Sequence, residues 1–180
     1  MIRFVGAVND GADWFILADI ANLNRLQLQH QLGSDLLEVF TTADIGDHVV
    51  EQGVMLPLMG ISNLPYTILF NLDETSAFTR AGVRPTHQQA GYVIEVISGQ
   101  LHLFTVPFLE DWPPNAAKLV DLAKRQLRPV VELANGWYSV TVNVGDIETE
   151  ECTSVIEFCL QPVAQPPAFN ADVNYQFTIE

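Results

Sequence analysis

Histidine and cysteine are the side chains of this sequence best suited to metal binding or covalent catalysis, and their spacing matches no metal-binding signature. They are His30, His48, His87, His102, Cys152 and Cys159. A zinc or iron site needs three or four ligands at bonding distance. We therefore predict that the chain holds no metal and no cofactor. A site built from His48 with the neighbouring Asp47 and Glu51 is the alternative.

The sequence also lacks the patterns typical of a catalytic site. It has no glycine-rich phosphate-binding loop, no nucleophile elbow and no helix with the zinc-protease signature. We therefore predict no catalytic residue. Because catalytic triads assemble in space rather than in sequence, the alternative is a small-molecule-binding protein or an enzyme with a pocket near His48 or His102.

Four carboxylates are concentrated in the short segment GDIETEE. They belong to Asp146, Glu148, Glu150 and Glu151. Their spacing is similar to that of calcium ligands in an EF-hand loop, but that loop requires glycine at its sixth position, where this segment has Glu151. We predict instead that these carboxylates, with an exposed or half-exposed Trp137, bind a basic protein partner. A solvated acidic turn between two strands is the alternative.

The net charge favours a cationic protein partner and argues against nucleic acid. The 180 residues include 22 Asp and Glu against 8 Lys and Arg, which gives a formal net charge of −14. Residues 129–180 contain eight acids and neither lysine nor arginine. Binding to a phosphate backbone gains most of its affinity from clustered cations, so this chain would repel a polyanion. A basic protein is therefore the expected partner.

The composition is that of a packed globular protein, because 48% of the residues are apolar and only 17% are charged. A length of 180 residues fits one domain, so we expect a single β-rich domain over residues 1–180. The apolar clusters are too short to form a signal peptide or to cross a bilayer. The expected location is therefore the cytoplasm, and the expected partners do not include a membrane.

The alternation of apolar and polar residues predicts an antiparallel β-sandwich of eight to ten short strands, with one or two short helices. The predicted strands include MIRFVGAV, ADWFILAD, RLQLQHQL, PYTILFNL, GYVIEVISGQLHLFTVPF and TSVIEFCLQPV. One helix is predicted in PPNAAKLVDLAKRQL, where Ala116, Leu119, Ala123 and Leu127 form an apolar stripe. A second helix is expected to begin near Ser34.

The C-terminal third of the chain contains the elements that would position the acidic segment. Asn135-Gly136 lies between two apolar runs and predicts a hairpin with a type I′ turn. The alternation from Val173 to Glu180 predicts a final strand, either inside a sheet or at an edge where two copies could pair. The residues expected to be buried in this architecture are Tyr138, Val140, Tyr175 and Phe177.

Several segments of the chain resemble a known family. They are DHVVEQG, TVPF, RPVVELANGWYSVTVNV and the acidic continuation GDIETEECTSVIEF. In these segments the chain resembles competence-associated nuclease inhibitors of the ComJ type, which are small acidic β proteins that bind a DNA-entry nuclease. The resemblance implies a β fold and an inhibitory or immunity-like role towards a nuclease or toxin.

Overall fold

The computed structural model describes residues 1–6, 8, 12–62, 64–148 and 154–178 of the chain. The strands of this described part are Ile2–Gly6 (β1), Trp14–Ala18 (β2), Met55–Met59 (β3), Tyr66–Asn71 (β4), His87–Val96 (β5), Gln100–Thr105 (β6), Val130–Glu132 (β7), Gly136–Asp146 (β8) and Ser154–Val163 (β9). The α-helices are Ile20–Gln29 (α1), Leu36–Thr42 (α2), Ile45–Glu51 (α3), Ala77–Ala81 (α4) and Pro114–Lys124 (α5), and a 3₁₀-helix spans Val106–Leu109.

The strands form two sheets, which confirms the predicted mainly β fold. A five-stranded sheet has the order β1-β4-β9-β8-β5, and a four-stranded sheet has the order β3-β2-β6-β7. Neighbouring strands run antiparallel except for β4 and β9, which run parallel. The predicted antiparallel arrangement is thus correct for most strand pairs and wrong for this one.

Buried side chains from both sheets form one apolar cluster. Within it, the rings of Phe70 on β4 and Phe158 on β9 stack with their centroids 5.6 Å apart. Tyr138, Val140 and Phe177 are at most 5% exposed, as predicted. Tyr175 was expected to be buried as well, but it is only half-buried and packs against the cluster from outside.

The helical content is higher than the sequence predicted, with five α-helices in the described residues instead of one or two. The predicted strand RLQLQHQL is wrong, because most of it belongs to α1. The signals for this helix begin upstream of the alternating segment: the Asp19 carboxylate accepts a hydrogen bond from the Ala21 backbone N–H at 2.9 Å, and Leu23 is buried three residues before the buried Leu26. Leu28, which fits the alternation, is 77% exposed.

The predicted hairpin at Asn135-Gly136 is also wrong, because its two strands belong to different sheets. β7 pairs with β6 in the smaller sheet, whereas β8 pairs with β5 and β9 in the larger one. The connection is held by side chains: the Asn135 amide donates to the Ile97 carbonyl at 2.9 Å, and the Tyr138 hydroxyl donates to the Ala134 carbonyl at 2.9 Å. Long-range pairing therefore replaces the local turn that the dipeptide favours.

The segment from Val173 to Glu180 does not form the predicted strand; residues 179–180 lie outside the described residues. Its described part makes one isolated parallel bridge, from Gln176 to Met59, and the Phe177 N–H donates to the Met59 carbonyl at 2.8 Å. The alternation instead reflects burial, since Phe177 is buried and its neighbours on either side are exposed. An extended segment that covers a core produces the same sequence pattern as a strand in a sheet.

The helix predicted in PPNAAKLVDLAKRQL is confirmed as α5, and its stripe residues Ala116, Leu119 and Ala123 are buried. The prediction is wrong for Leu127, because the helix ends at Lys124 and Leu127 is 45% exposed. The second predicted helix is confirmed as α2, where the Asp35 carboxylate accepts from the Glu38 N–H at 2.8 Å. Among the described residues, no helix is both long and apolar enough to cross a membrane.

Candidate partner-binding surfaces

The acidic turn, Asp146 to Glu151, begins at the end of the long strand β8. Asp146 is the last residue of β8 and pairs with Ser154, whose hydroxyl donates to the Asp146 carboxylate at 3.0 Å. Asp146 and Glu148 are exposed. Glu150 and Glu151 lie outside the described residues. The described part of the turn therefore presents two carboxylates to solvent.

Trp137 lies at the opposite end of the same strand. It is the second residue of β8 and faces Glu95 on β5 and Val163 on β9. Asp146 lies nine positions further along this extended strand, and at about 3.3 Å per residue that is a distance of about 30 Å. The structure therefore does not bring Trp137 together with the acidic turn.

Behind the acidic turn, the larger sheet contains a buried polar cluster centred on Glu157. This side chain is fully buried and accepts hydrogen bonds from the Asn71 amide at 2.8 Å, the Ala77 N–H at 2.7 Å and the Asn143 amide at 3.0 Å. Burial, together with the Glu157 charge, raises the pKa of the neighbouring Cys159 thiol to about 12. This cluster connects β4, β8 and β9 through hydrogen bonds among buried side chains.

A polar pocket of about 470 Å³ lies beside Trp137, at the other end of β8. Its lining includes Arg25 from α1, Glu51 from α3, Glu95 from β5, and Pro166 and Pro167 from the segment that follows β9. The parts of the chain that form it are far apart in sequence, so no local pattern predicted this pocket. Trp137, predicted as a binding residue from its expected exposure, is half-buried in the pocket wall.

A hydrogen-bonded network lines one side of this pocket. The amide of the buried Asn22 donates to the Glu95 carboxylate at 3.3 Å and accepts from the Arg25 guanidinium at 2.7 Å. Arg25 also pairs with Glu95 directly, and the two side chains are 41% and 20% exposed. Glu95 is thus fixed in position and borders the polar pocket.

His102, one of the two histidines proposed to lie near a pocket, is buried in β6 and only 4% exposed. Burial lowers its pKa, and the charge of Asp19 offsets part of that effect. The fully buried Asp19 accepts hydrogen bonds from the Ile97 and Ser98 N–H groups, each at 2.7 Å, and so fixes the connection between β5 and β6. Asp19 and His102 therefore belong to the packed interior.

His48, the other histidine, is exposed on α3. Its Nδ1 lies 3.3 Å from a carboxylate oxygen of Glu51, one helical turn away. Within the part of the chain that the structure describes, no group of three or more histidine, cysteine, aspartate or glutamate side chains is arranged to hold a metal ion. His48 lines neither the polar pocket nor the apolar groove described below.

No protein-family model matches the chain, and no curated protein matches its sequence. Among solved structures, the chain is similar to the crystal structure of ComJ from Bacillus subtilis, described as an inhibitor of the DNA-degrading activity of NucA. The TM-score is 0.49 and the sequence identity is 12%, and the match covers 91% of this chain and 96% of that chain. The resemblance predicted from the sequence is therefore confirmed as a weak structural one.

Proposed function

We propose that this chain is a non-enzymatic acidic protein that binds and restrains a basic protein partner, such as a nuclease or a toxin. The observation that best supports the proposal is the distribution of charged side chains on the surface. In the described residues, fourteen aspartates and glutamates are exposed against seven lysines and arginines. The stretches 26–79 and 129–180 contain no lysine or arginine, and both have exposed carboxylates.

Complementary charge explains how such a protein would recognise its partner. A nuclease cleft is built to attract phosphates, so a dense set of carboxylates competes for the same cations. Opposite charge also speeds the diffusional encounter of two proteins at low salt. A nuclease is the specific partner class implied by the sequence resemblance to ComJ-type inhibitors.

The contacts proposed from the sequence are Asp146, Glu148, Glu150, Glu151 and Trp137. A typical interface buries about 800 Å² on each partner, which corresponds to a patch roughly 30 Å across. A partner would have to span the whole of β8 to touch both Trp137 and the acidic turn. We assign the acidic turn the role of attracting the partner, because attraction between opposite charges acts at a distance and needs no direct contact.

The test begins with capture of partners from the native host on the immobilised chain at low salt, followed by mass spectrometry. The expected result is one basic protein in stoichiometric amount. When that protein is purified, its activity should fall as the chain is added and reach its minimum at one equivalent. The Glu148→Gln, Glu150→Gln, Glu151→Gln variant, used as a second bait, should capture less of it. A bound metabolite or metal without any basic protein would contradict the proposal and favour a small-molecule function.

A further inference from the structure

We propose that the exposed face of α3, together with the two depressions that Asp47 and Glu51 line, is the docking surface for a basic segment of the partner that carries one large apolar side chain. This inference rests on the proposed function and adds the location and chemistry of the contact. The acidic face of α3 consists of Asp44, Asp47 and Glu51. Their spacing of three and four residues places them on one side of the helix, and all three are exposed.

On one side of α3 is an apolar groove of about 270 Å³, between the helices α2 and α3 and the strands β2 and β3. Its lining includes Trp14, Leu37, Phe40, Pro57, Met59 and Val106. Asp47 also lines it, so a carboxylate stands at the border of an otherwise mostly apolar surface. This combination suits a large apolar side chain with a cation next to it, as at the centre of many interfaces.

The second depression is the polar pocket beside Trp137, which Glu51 lines at the C-terminal end of α3. An indole ring with carboxylates nearby is a favourable site for a lysine or arginine side chain, because the ring face attracts cations. Glu51 supplies a carboxylate at the border of this pocket, whereas Glu95 is already paired with Arg25 and hydrogen-bonded to Asn22. The two depressions therefore fit different side chains of one segment that crosses α3.

Charge identifies the occupant as a cationic segment of another protein. Of the described residues that line either depression, Arg25 is the only lysine or arginine, and it is paired with Glu95. A second copy of the chain, with its net charge of −14, would bring two acidic faces together and be repelled. The chain's own segment 149–153, which lies outside the described residues, contains two glutamates. The acidic face of α3 would repel it for the same reason.

The probe for this surface is a synthetic peptide of about twelve residues, rich in lysine and arginine, with one central phenylalanine. Two matched peptides replace either the phenylalanine by serine or the cations by glutamine. We expect the first peptide to bind at least about tenfold more tightly than either of the others, because both features contribute to the contact. In nuclear magnetic resonance titrations, the shifts should change most at Trp14, Phe40 and Asp47. Equal affinity for all three peptides would overturn the proposal.

Two variants with the same net charge test whether the peptide binds at the α3 face. The Asp44→Asn, Asp47→Asn, Glu51→Gln variant and the control Glu74→Gln, Asp121→Asn, Glu132→Gln variant each remove three negative charges from exposed positions. The control residues line neither depression. The α3 variant should weaken peptide binding about tenfold, and the control by much less, because only close charges act strongly at physiological salt. Equal losses would show general attraction instead of a site.

Filling the groove provides a test that does not change the charge. Thr41 is exposed and lines the groove, whereas its neighbour Thr42 is exposed and does not. Thr41→Trp should abolish the advantage of the phenylalanine-containing peptide, and Thr42→Trp should preserve it. If both preserve it, the groove is not the site, even if a captured basic protein still binds the chain. If no basic protein binds the wild-type chain at all, the proposed function itself fails.

Discussion

Near each end of β8, a glutamate carboxylate is hydrogen-bonded to an asparagine amide, but the two glutamates differ in their burial. At the Asp146 end, Glu157 and Asn143 are buried, and the Glu157 carboxylate receives three hydrogen bonds from within the protein. At the Trp137 end, Glu95 is held by Asn22 and Arg25 but still borders a cavity of about 470 Å³. The first cluster therefore stabilises the sheet, and the second positions a carboxylate that a ligand can reach.

We expect attraction of the partner and retention of the bound partner to depend on different regions of the molecule. Asp146 and Glu148 are exposed at the end of β8, and neither of them lines the polar pocket or the apolar groove. The α3 face combines charge with two depressions. Exposed charges act mainly on the association rate, whereas contacts in desolvated pockets act mainly on the dissociation rate. We therefore expect the two regions to control different rate constants.

The largest expected effect is on stability, at the buried end of β8. Glu157→Leu should lower the free energy of unfolding by about 3 kcal/mol or more, because the Asn71, Ala77 and Asn143 donors lose a buried acceptor. Glu95→Leu at the other end should cost about 1 kcal/mol or less, because that ion pair is partly exposed. Urea denaturation of both variants measures the difference. Equal costs would show that the two ends are not distinct.

The second prediction tests the backbone conformation of Gly136, the first residue of β8. Gly136 has a φ of +144° and no atom within 4 Å of an added Cβ, so a larger side chain meets conformational strain and no collision. Gly136→Val should therefore cost about 1–3 kcal/mol. The control is Gly33→Val, because Gly33 also has open space around it but no positive φ. A melting temperature unchanged by Gly136→Val would contradict this explanation.

The sequence predicts those features of the fold that depend on one segment at a time. The apolar stripe of α5 and the strands β8 and β9 are visible because each carries its own complete pattern. The hairpin predicted at Asn135-Gly136 is wrong because the dipeptide does not determine which strands pair. The flanking strands pair instead with strands that are distant in sequence. The polar pocket could not be predicted because Asn22 and Glu95 are separated by 73 positions. Charge, a property of the whole chain, favours a basic partner but does not by itself locate the surface that binds it.

The smallest expected effect concerns pH and the interior near the Trp137 end. Because the pKa of His102 is lower in the folded protein than its ordinary value of 6.5, the unfolded chain binds more protons below that pH. The stabilisation is fully present above about pH 6.5 and is lost as the pH falls towards the lower folded-state pKa. Denaturation curves between pH 7.5 and 5 should show this decrease for the wild type and a smaller one for His102→Leu. Parallel decreases would show that other groups cause it.

The measurement that tests the account most directly is the association and dissociation kinetics of the chain with its captured basic partner, by surface plasmon resonance at several salt concentrations. The Debye length shortens from about 30 Å at 0.01 M salt to about 8 Å at 0.15 M. We predict that the Glu148→Gln, Glu150→Gln, Glu151→Gln variant associates about tenfold more slowly at low salt and dissociates at the wild-type rate. The Asp44→Asn, Asp47→Asn, Glu51→Gln variant should dissociate faster at every salt concentration. An association rate independent of salt and unchanged in both variants would contradict the claim that this protein recognises its partner by charge.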